Sequence, residues 1–338
     1  MRMSIFSVQD HYPARERTLA QLYGEIIAQA ELADSLGYDT FWVAEHHFHE
    51  YGAVPNPAVM LAALAQRTQT LKLGTAISIL TFHNPLTLAE NYAMVDVLSG
   101  GRLVYGVGSG YLSHEFAGYG VDAAEKRDRF DENLAAIRRL LAGERVTANG
   151  KYANIDAVQI NVLPLQREVS VYVAILRKEA AYFVGRQGHN MLSVPYASLE
   201  DFDGIGELIS EFKRGRSEAG RPAGENSAAV TLHTHVADSD AEARSSAESA
   251  FNLYVDTRLY ARKSTYDDAM RNGLHLFGSV ETVTDKLVGL HAVGVDHVMA
   301  LQNFGLLPQA LVRASMERLM LEVMPRVRDR IGKVPPLS

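Results

Sequence analysis

Near-continuous apolar runs alternate along this chain with longer stretches of helical periodicity, and that alternation restricts the fold more than any other feature. Strands covered on both faces read as unbroken apolar runs, and parallel neighbours need helical crossovers between them. Such runs occupy residues 3–8, 40–45, 71–79, 102–108, 170–174, 191–195, 229–236 and 296–301. Eight of them predict an α/β chain closed into one TIM (β/α)8 barrel. Helix boundaries are signalled locally. Asn56-Pro57 and Asn84-Pro85 each place a side-chain cap before a residue with preset φ, and Gly37 follows Leu36 where a left-handed C-cap is needed.

A barrel of this kind uses about 250 residues, whereas the chain has 338. The surplus is assigned to insertions after the fourth and seventh strands, within a single domain spanning 1–338. The first, at about 145–169, carries the hairpin signal Asn149-Gly150 and ends near Pro164. The second, at about 255–278, holds Arg258, Arg262, Lys263, Asp267, Asp268 and Arg271. So many charges leave little apolar surface, and the segment is expected to be a mobile lid, the alternative being a helix that extends the barrel wall.

Net charge and composition then narrow the partners. A formal charge of −7 argues against nucleic acid or an anionic membrane surface, both of which select for clustered Lys and Arg. The absence of cysteine removes disulfides, thiolate metal sites and cysteine nucleophiles. No signal peptide is legible in Met1–Val8, and no run reaches the roughly 18 apolar residues of a membrane span. The expectation is a soluble, cytoplasmic protein acting on a small molecule.

Catalytic residues of barrels gather at the C-terminal ends of strands. There the second strand runs into Glu45-His46-His47-Phe48-His49-Glu50, a cluster suited to proton handling or simply to hydrogen bonding of loop backbone. A metal is the weaker reading, because His46 and His47 project to opposite sides of an extended chain. After the fifth strand, Arg177 and Lys178 precede a helix, where free N–H groups and two cations make either an anion site or an ordinary solvated pair. Gly106-Val107-Gly108-Ser109-Gly110 lets backbone approach a ligand but lacks the dinucleotide spacing. His233 and His235 share a strand face, a geometry that a metal hydrolase could use with further ligands.

Four stretches together resemble the bacterial luciferase-like monooxygenases. They are Gly37 to Phe48, including Glu45-His46-His47-Phe48; Leu73-Gly74-Thr75-Ala76-Ile77; Gly101 to Tyr111; and Gly278 to Val283. Glu-His-His-Phe is the most specific, since deazaflavin-using relatives usually carry other sequences there. The resemblance implies FMN at the C-terminal mouth, reduced by a separate flavin reductase, in a homodimer. Reduced FMN and O2 would give a flavin hydroperoxide that oxygenates an aldehyde, ketone or similar small substrate.

On that resemblance His46 is catalytic, near the flavin ring, with Glu45 beside it to orient its imidazole. Cofactor contacts are implied at Glu45, Ala76, Ile77, Gly108, Ser109, Tyr111, Leu176, Arg177 and Lys178, with a non-proline cis peptide at Ala76-Ile77, and no metal. Two departures stand out. Leu176-Arg177-Lys178 replaces the hydroxyl residue that relatives use for the phosphate, and Ser109 falls where close relatives have arginine. Together they imply either altered or weakened FMN binding or a phosphate cation moved from the fourth strand end to the fifth, and on the second reading Arg177 takes the role. The alternatives are a deazaflavin-dependent hydride-transfer enzyme, a metal hydrolase using His233 and His235, and a non-catalytic flavin-binding protein.

Overall fold

The apolar runs close into a barrel in the computed structural model, which describes residues 1–221, 228–258 and 264–332. Its strands are β1 (Arg2–Ser7), β2 (Thr40–Val43), β3 (Lys72–Thr75), β4 (Leu103–Gly108), β5 (Ser170–Ile175), β6 (Asn190–Ser193), β7 (Ala228–Ala237) and β8 (His297–Leu301). Each pairs in parallel with the next, and β8 returns to β1 with Ile5 opposite Ala300. Closure leaves no free edge on these strands. Phe41 and Trp42 on β2 and Leu73 on β3 are among the fully buried side chains of the wall.

Capping chemistry sets the helices as the sequence predicts. Asn56 Oδ1 accepts from the Val59 N–H, and Asn84 Oδ1 accepts from those of Leu86 and Thr87, with Pro57 and Pro85 as the first helical residues. Gly37 closes helix Leu19–Leu36 at φ 76°. At the opposite rim from the strand C-termini, Asp34 accepts from the N–H groups of Gln69, Thr70 and Leu71. Arg102 meanwhile donates to the carbonyls of Ala65, Thr68 and Leu71. These ties give stability to a face that carries no predicted chemistry.

The third apolar run is not one strand. It breaks at Ala76-Ile77, where the peptide is cis, and resumes as Ser78–Ile79 alongside Val107 and Gly108 of β4. Just before the break β3 and β4 come unusually close. A Cβ added at Gly106 would lie 1.9 Å from the Thr75 carbonyl oxygen, and Thr75 Oγ1 both donates to the Gly106 carbonyl and accepts from its N–H.

Both insertions fall after the expected strands. Residues 146–149 and 154–158 form the antiparallel hairpin announced by Asn149-Gly150. The second insertion departs from expectation. Residues 259–263 lie outside the described residues, but beyond them a capping box at Thr265 and Asp268 starts helix Tyr266–Asn272, followed by strand His275–Ser279. That strand pairs in parallel with the outer half of β7, His233 opposite His275. Tyr266, Ala269, Leu274, Leu276 and Phe277 are buried. Asp267, Asp268 and Arg271 occupy the outer face of the helix, so averaging charge over the segment hid an apolar face that packs. Residues 264–278 are wall rather than lid. No helix among the described residues is long and apolar enough to cross a membrane.

Candidate active site

Three strand ends, those of β2, β3 and β4, converge at one side of the C-terminal mouth. Ala76 N–H donates to the Val43 carbonyl at 2.8 Å, which sets the cis peptide against the last residue of β2, three positions before His46. Gly108 makes room for this turn, since a Cβ there would meet Ile77 Cδ1 at 2.2 Å. Within the otherwise buried stretch from Leu73 to Thr81, Ala76 and Ile77 are half-exposed. They form a small apolar shelf at the mouth.

His46 follows the same β2 end and is held by its neighbours. Its Nδ1 lies 3.2 Å from Glu115 Oε1, which also accepts the His47 N–H at 3.0 Å. Glu115 sits in the first turn of helix Ser113–Tyr119, just past β4. A carboxylate only accepts, so Nδ1 carries the proton and Nε2 is left as an acceptor. The Tyr51 ring packs edge-on against the imidazole at 4.5 Å, and Tyr111 approaches at 6.3 Å. Burial pulls the His46 pKa below its usual value, opposed by Glu115 and aided by the Arg258 charge. A neutral imidazole with one acceptor nitrogen is the form a general base requires.

Glu45 does not orient His46, contrary to the sequence reading. Successive residues of an extended chain face opposite ways, and its Oε1 accepts instead from His47 Nε2 at 3.0 Å and His83 Nε2 at 2.6 Å. Its Oε2 takes the Ile79 N–H at 3.0 Å. Burial alone would raise this carboxyl, but the two imidazoles and the amide hold it below its usual value. Glu45 thus ties the β2 end to the turn after the cis peptide. Glu45, His47 and His83 are also the one group of three metal-ligating side chains among the described residues, with ligand atoms within 4.8 Å of one another. Here Glu45 accepts from one nitrogen of each imidazole.

The remaining predicted residues scatter around the mouth. Gly108 is buried, and Ser109 is half-buried with its carbonyl accepting from Thr81 Oγ1. Leu176 is half-buried, while Arg177 and Lys178 are exposed before helix Glu179–Arg186, with Lys178 reaching Glu207 at 3.0 Å. Among the described residues no group of three metal-ligating side chains includes His233 or His235. His235 Nε2 bonds Ser246 Oγ at 2.8 Å, and His233 lies among the rings of Tyr196, Phe251, Tyr254 and Phe304.

Sequence reasoning missed Glu115, His83, Tyr51 and the place of Arg258. For Glu115 a signal existed, an acid in the first turn of a helix that opens directly after a strand end. His83 and Arg258 approach from other βα units and left no local trace, and Tyr51, five residues past His46 in the same loop, carried nothing in its residue type to mark the contact.

Comparison with known proteins agrees with this geometry. Residues 1–297 match the sequence profile of the luciferase-like monooxygenases. The oxygenase component of the flavin-dependent trigonelline monooxygenase from Acinetobacter baylyi is 28% identical, with 96% of this chain and 95% of that protein covered. An F420-dependent glucose-6-phosphate dehydrogenase from Amycolatopsis mediterranei is 31% identical over 58% of this chain and 60% of its own length. The crystal structure of the monooxygenase RslO1 from Streptomyces bottropensis superposes with a TM-score of 0.90 at 29% identity, covering 96% of this chain and 99% of that one. The chain belongs to the luciferase-like monooxygenase family.

Proposed function

We propose that this protein is an FMN-dependent monooxygenase that uses reduced FMN and O2 to oxygenate a small organic substrate. The observation that carries the reading is the pairing of buried His46 with Glu115 just past the β2 end, the same end to which the half-buried Ala76-Ile77 turn is hydrogen-bonded through Val43. The residues fit the cofactor. The shelf offers an apolar platform for a planar ring, and Arg177 and Lys178 at the N-terminus of helix Glu179–Arg186 offer cations and free N–H groups for its phosphate. Bound and reduced, FMN would supply the electrons that activate O2.

The protein's part is position and proton control. His46 Nε2 accepts or returns a proton at the reacting centre while Glu115 holds the ring through Nδ1. Glu45 fixes the Ile79 turn, and with it the shelf. Tyr51 and Tyr111 wall the imidazole from water. The trigonelline enzyme is named as an oxygenase component, which supports a separate flavin reductase as partner here. Val59, Met94, Val97 and Leu98 are exposed on the adjacent helices Pro57–Ala65 and Pro85–Ser99, and this apolar surface supports a homodimer.

The deazaflavin alternative draws on the F420-dependent relative. Single turnovers with photoreduced FMN and with reduced F420, each under isotopically labelled O2 and followed by untargeted product analysis, separate the two. Labelled product with FMN is the expected result. Hydride transfer with F420, and no label from FMN, would replace the reading.

A further inference from the structure

The end of the barrel opposite the candidate active site holds a partly enclosed cavity of about 190 Å³. It lies among the N-terminal ends of β1 to β5, with Arg2, Asp39, Trp42, Lys72, Arg102 and Tyr172 in its lining. A single water needs only roughly 10–15 Å³ of such space, so a molecule of several heavy atoms fits.

Trp42 is the only tryptophan of the chain, and it is fully buried. β3 makes room for it with Gly74, where an added Cβ would lie 2.3 Å from Trp42 Cε3. Tyr172 on β5 packs edge-on to the indole, with 5.4 Å between ring centroids. The indole Nε1–H has no hydrogen-bond partner among the described residues. An indole nitrogen only donates, and buried donors are nearly always satisfied, so this one calls for an acceptor in the cavity that its ring lines.

Charge decides what kind of acceptor. Three lining residues, Arg2, Lys72 and Arg102, are cations, against the single carboxylate of Asp39. Asp39 is already engaged, accepting from Thr40 Oγ1 at 2.7 Å, Lys72 Nζ at 3.2 Å and Arg2 Nη1 at 3.3 Å. Arg102 bonds to the carbonyls of Ala65, Thr68 and Leu71, which satisfy its N–H groups without cancelling its charge. Lys72 is half-exposed, and an ammonium has three donors, of which Asp39 takes one. The lining keeps a positive excess. Its field reaches His297 on β8, where burial, and then Arg2 and Lys72 against Asp39, favour the neutral imidazole. A water would satisfy the indole and leave the charge unanswered, whereas an oxyanion answers both.

We propose that this cavity is a binding site for a small oxyanion, with Trp42 Nε1 donating to it and the Lys72 ammonium supplying charge at its opening. His46 follows the C-terminal end of β2, whereas the cavity lies at the N-terminal ends, so the site adds a second ligand to that of the active site. It does not rest on the FMN reading.

Emission from Trp42 reports on the cavity directly, since no other tryptophan contributes. Inorganic phosphate and malonate are titrated separately into the protein, with and without saturating FMN, at an ionic strength held constant with sodium chloride. Emission and isothermal titration calorimetry are followed together. At least one of the two anions should change the emission saturably with a Kd of about 1 mM or tighter, and which one does so names the oxyanion. Saturating FMN should leave that Kd within about twofold, because FMN occupies the other end of the barrel. Lys72→Met should weaken binding by about fivefold or more. Trp42→Phe removes the donor together with the probe, and calorimetry should show a similar loss. If Trp42→Phe fails to fold by circular dichroism, Lys72→Met decides alone. The proposal is overturned if neither anion changes the emission beyond the chloride control, or if either folded variant binds as the parent does. It is also overturned if FMN abolishes the effect, which would put the anion at the flavin phosphate site. The arm without FMN needs no flavin, so failure of the functional reading leaves this result standing.

Discussion

Nδ1 of His46 lies 3.2 Å from Oε1 of Glu115, a residue 69 positions further along the chain in a different βα unit. The pair fixes the tautomer that leaves Nε2 as an acceptor. Substitution His46→Ala should leave the circular dichroism spectrum unchanged and lower turnover with reduced FMN by roughly 10²–10⁴-fold, the range for a lost proton-transfer group. Glu115→Gln tests the orienting role. Glu115 raises the His46 pKa against the effect of burial, so its removal should shift the acid limb of the kcat/KM profile to lower pH. An unmoved acid limb would assign Glu115 to packing alone.

Arg177 is expected to contact the FMN phosphate. Riboflavin lacks that phosphate, so Arg177→Ala should weaken FMN binding by about tenfold or more while barely changing riboflavin binding. Fluorescence titration of both flavins decides it. Equal losses would mean that the side chain supports the fold and not the phosphate.

Phe277 is fully buried and stacks on Tyr266 at 5.1 Å with rings 3° from parallel. Because residues 264–278 pack into the wall, Phe277→Ala should cost about 3–5 kcal/mol of stability, as large-to-small core substitutions do. A mobile cover would tolerate the change. Urea unfolding followed by circular dichroism distinguishes the two, and a cost under about 1 kcal/mol would return the segment to the lid reading.

His275 carries a pH signature. Burial, with Lys286 and Arg258 adding to it, pulls its pKa down to about 3. The unfolded chain returns it to about 6.5. Between those values the unfolded state binds a proton that the folded state refuses, so stability present above pH 6.5 is lost as the pH falls toward 3. From pH 7 to pH 5 this group should remove about 2 kcal/mol. His275→Phe should reduce the difference in stability between those two pH values, measured by urea unfolding, by about that amount, the rest coming from other buried histidines such as His297, which burial also pulls down to about 3. An identical slope in the variant would show that His275 does not titrate on unfolding.

The exposed Met94 and Leu98 lie one turn apart on helix Pro85–Ser99. A homodimer covering them should dissociate when Met94→Glu and Leu98→Glu place charges in the interface, because buried unpaired charge is costly. Sedimentation equilibrium should show a dimer for the parent chain and a monomer for the double variant. A monomeric parent removes the proposal.

Much of this molecule was legible in its sequence because the signals are local. The buried strands announce themselves as apolar runs, and the caps at Asn56, Asn84 and Gly37 depend on residues within a few positions of the helix ends. Even the hairpin after β4 followed from Asn149-Gly150. His46 and Gly108 were placed at strand ends, where a barrel gathers its chemistry, and there the structure puts them, whereas Ala76-Ile77, read inside the run 71–79, breaks that run.

What tertiary structure decided is everything that depends on long-range convergence. Alternation along an extended chain turns Glu45 away from His46, and only closure of the barrel delivers Glu115 in its place. His83 joins Glu45 across 38 residues, and Arg258 becomes a buried cation only when tyrosines from three βα units meet around it. Charge counted along residues 255–278 suggested a loose excursion, whereas the turns of helix Tyr266–Asn272 put Asp267, Asp268 and Arg271 on one face and released the other for packing. A sequence states which groups are available within a turn or two. Which of them share a site is set by barrel closure, through contacts between residues that carry no mark of one another.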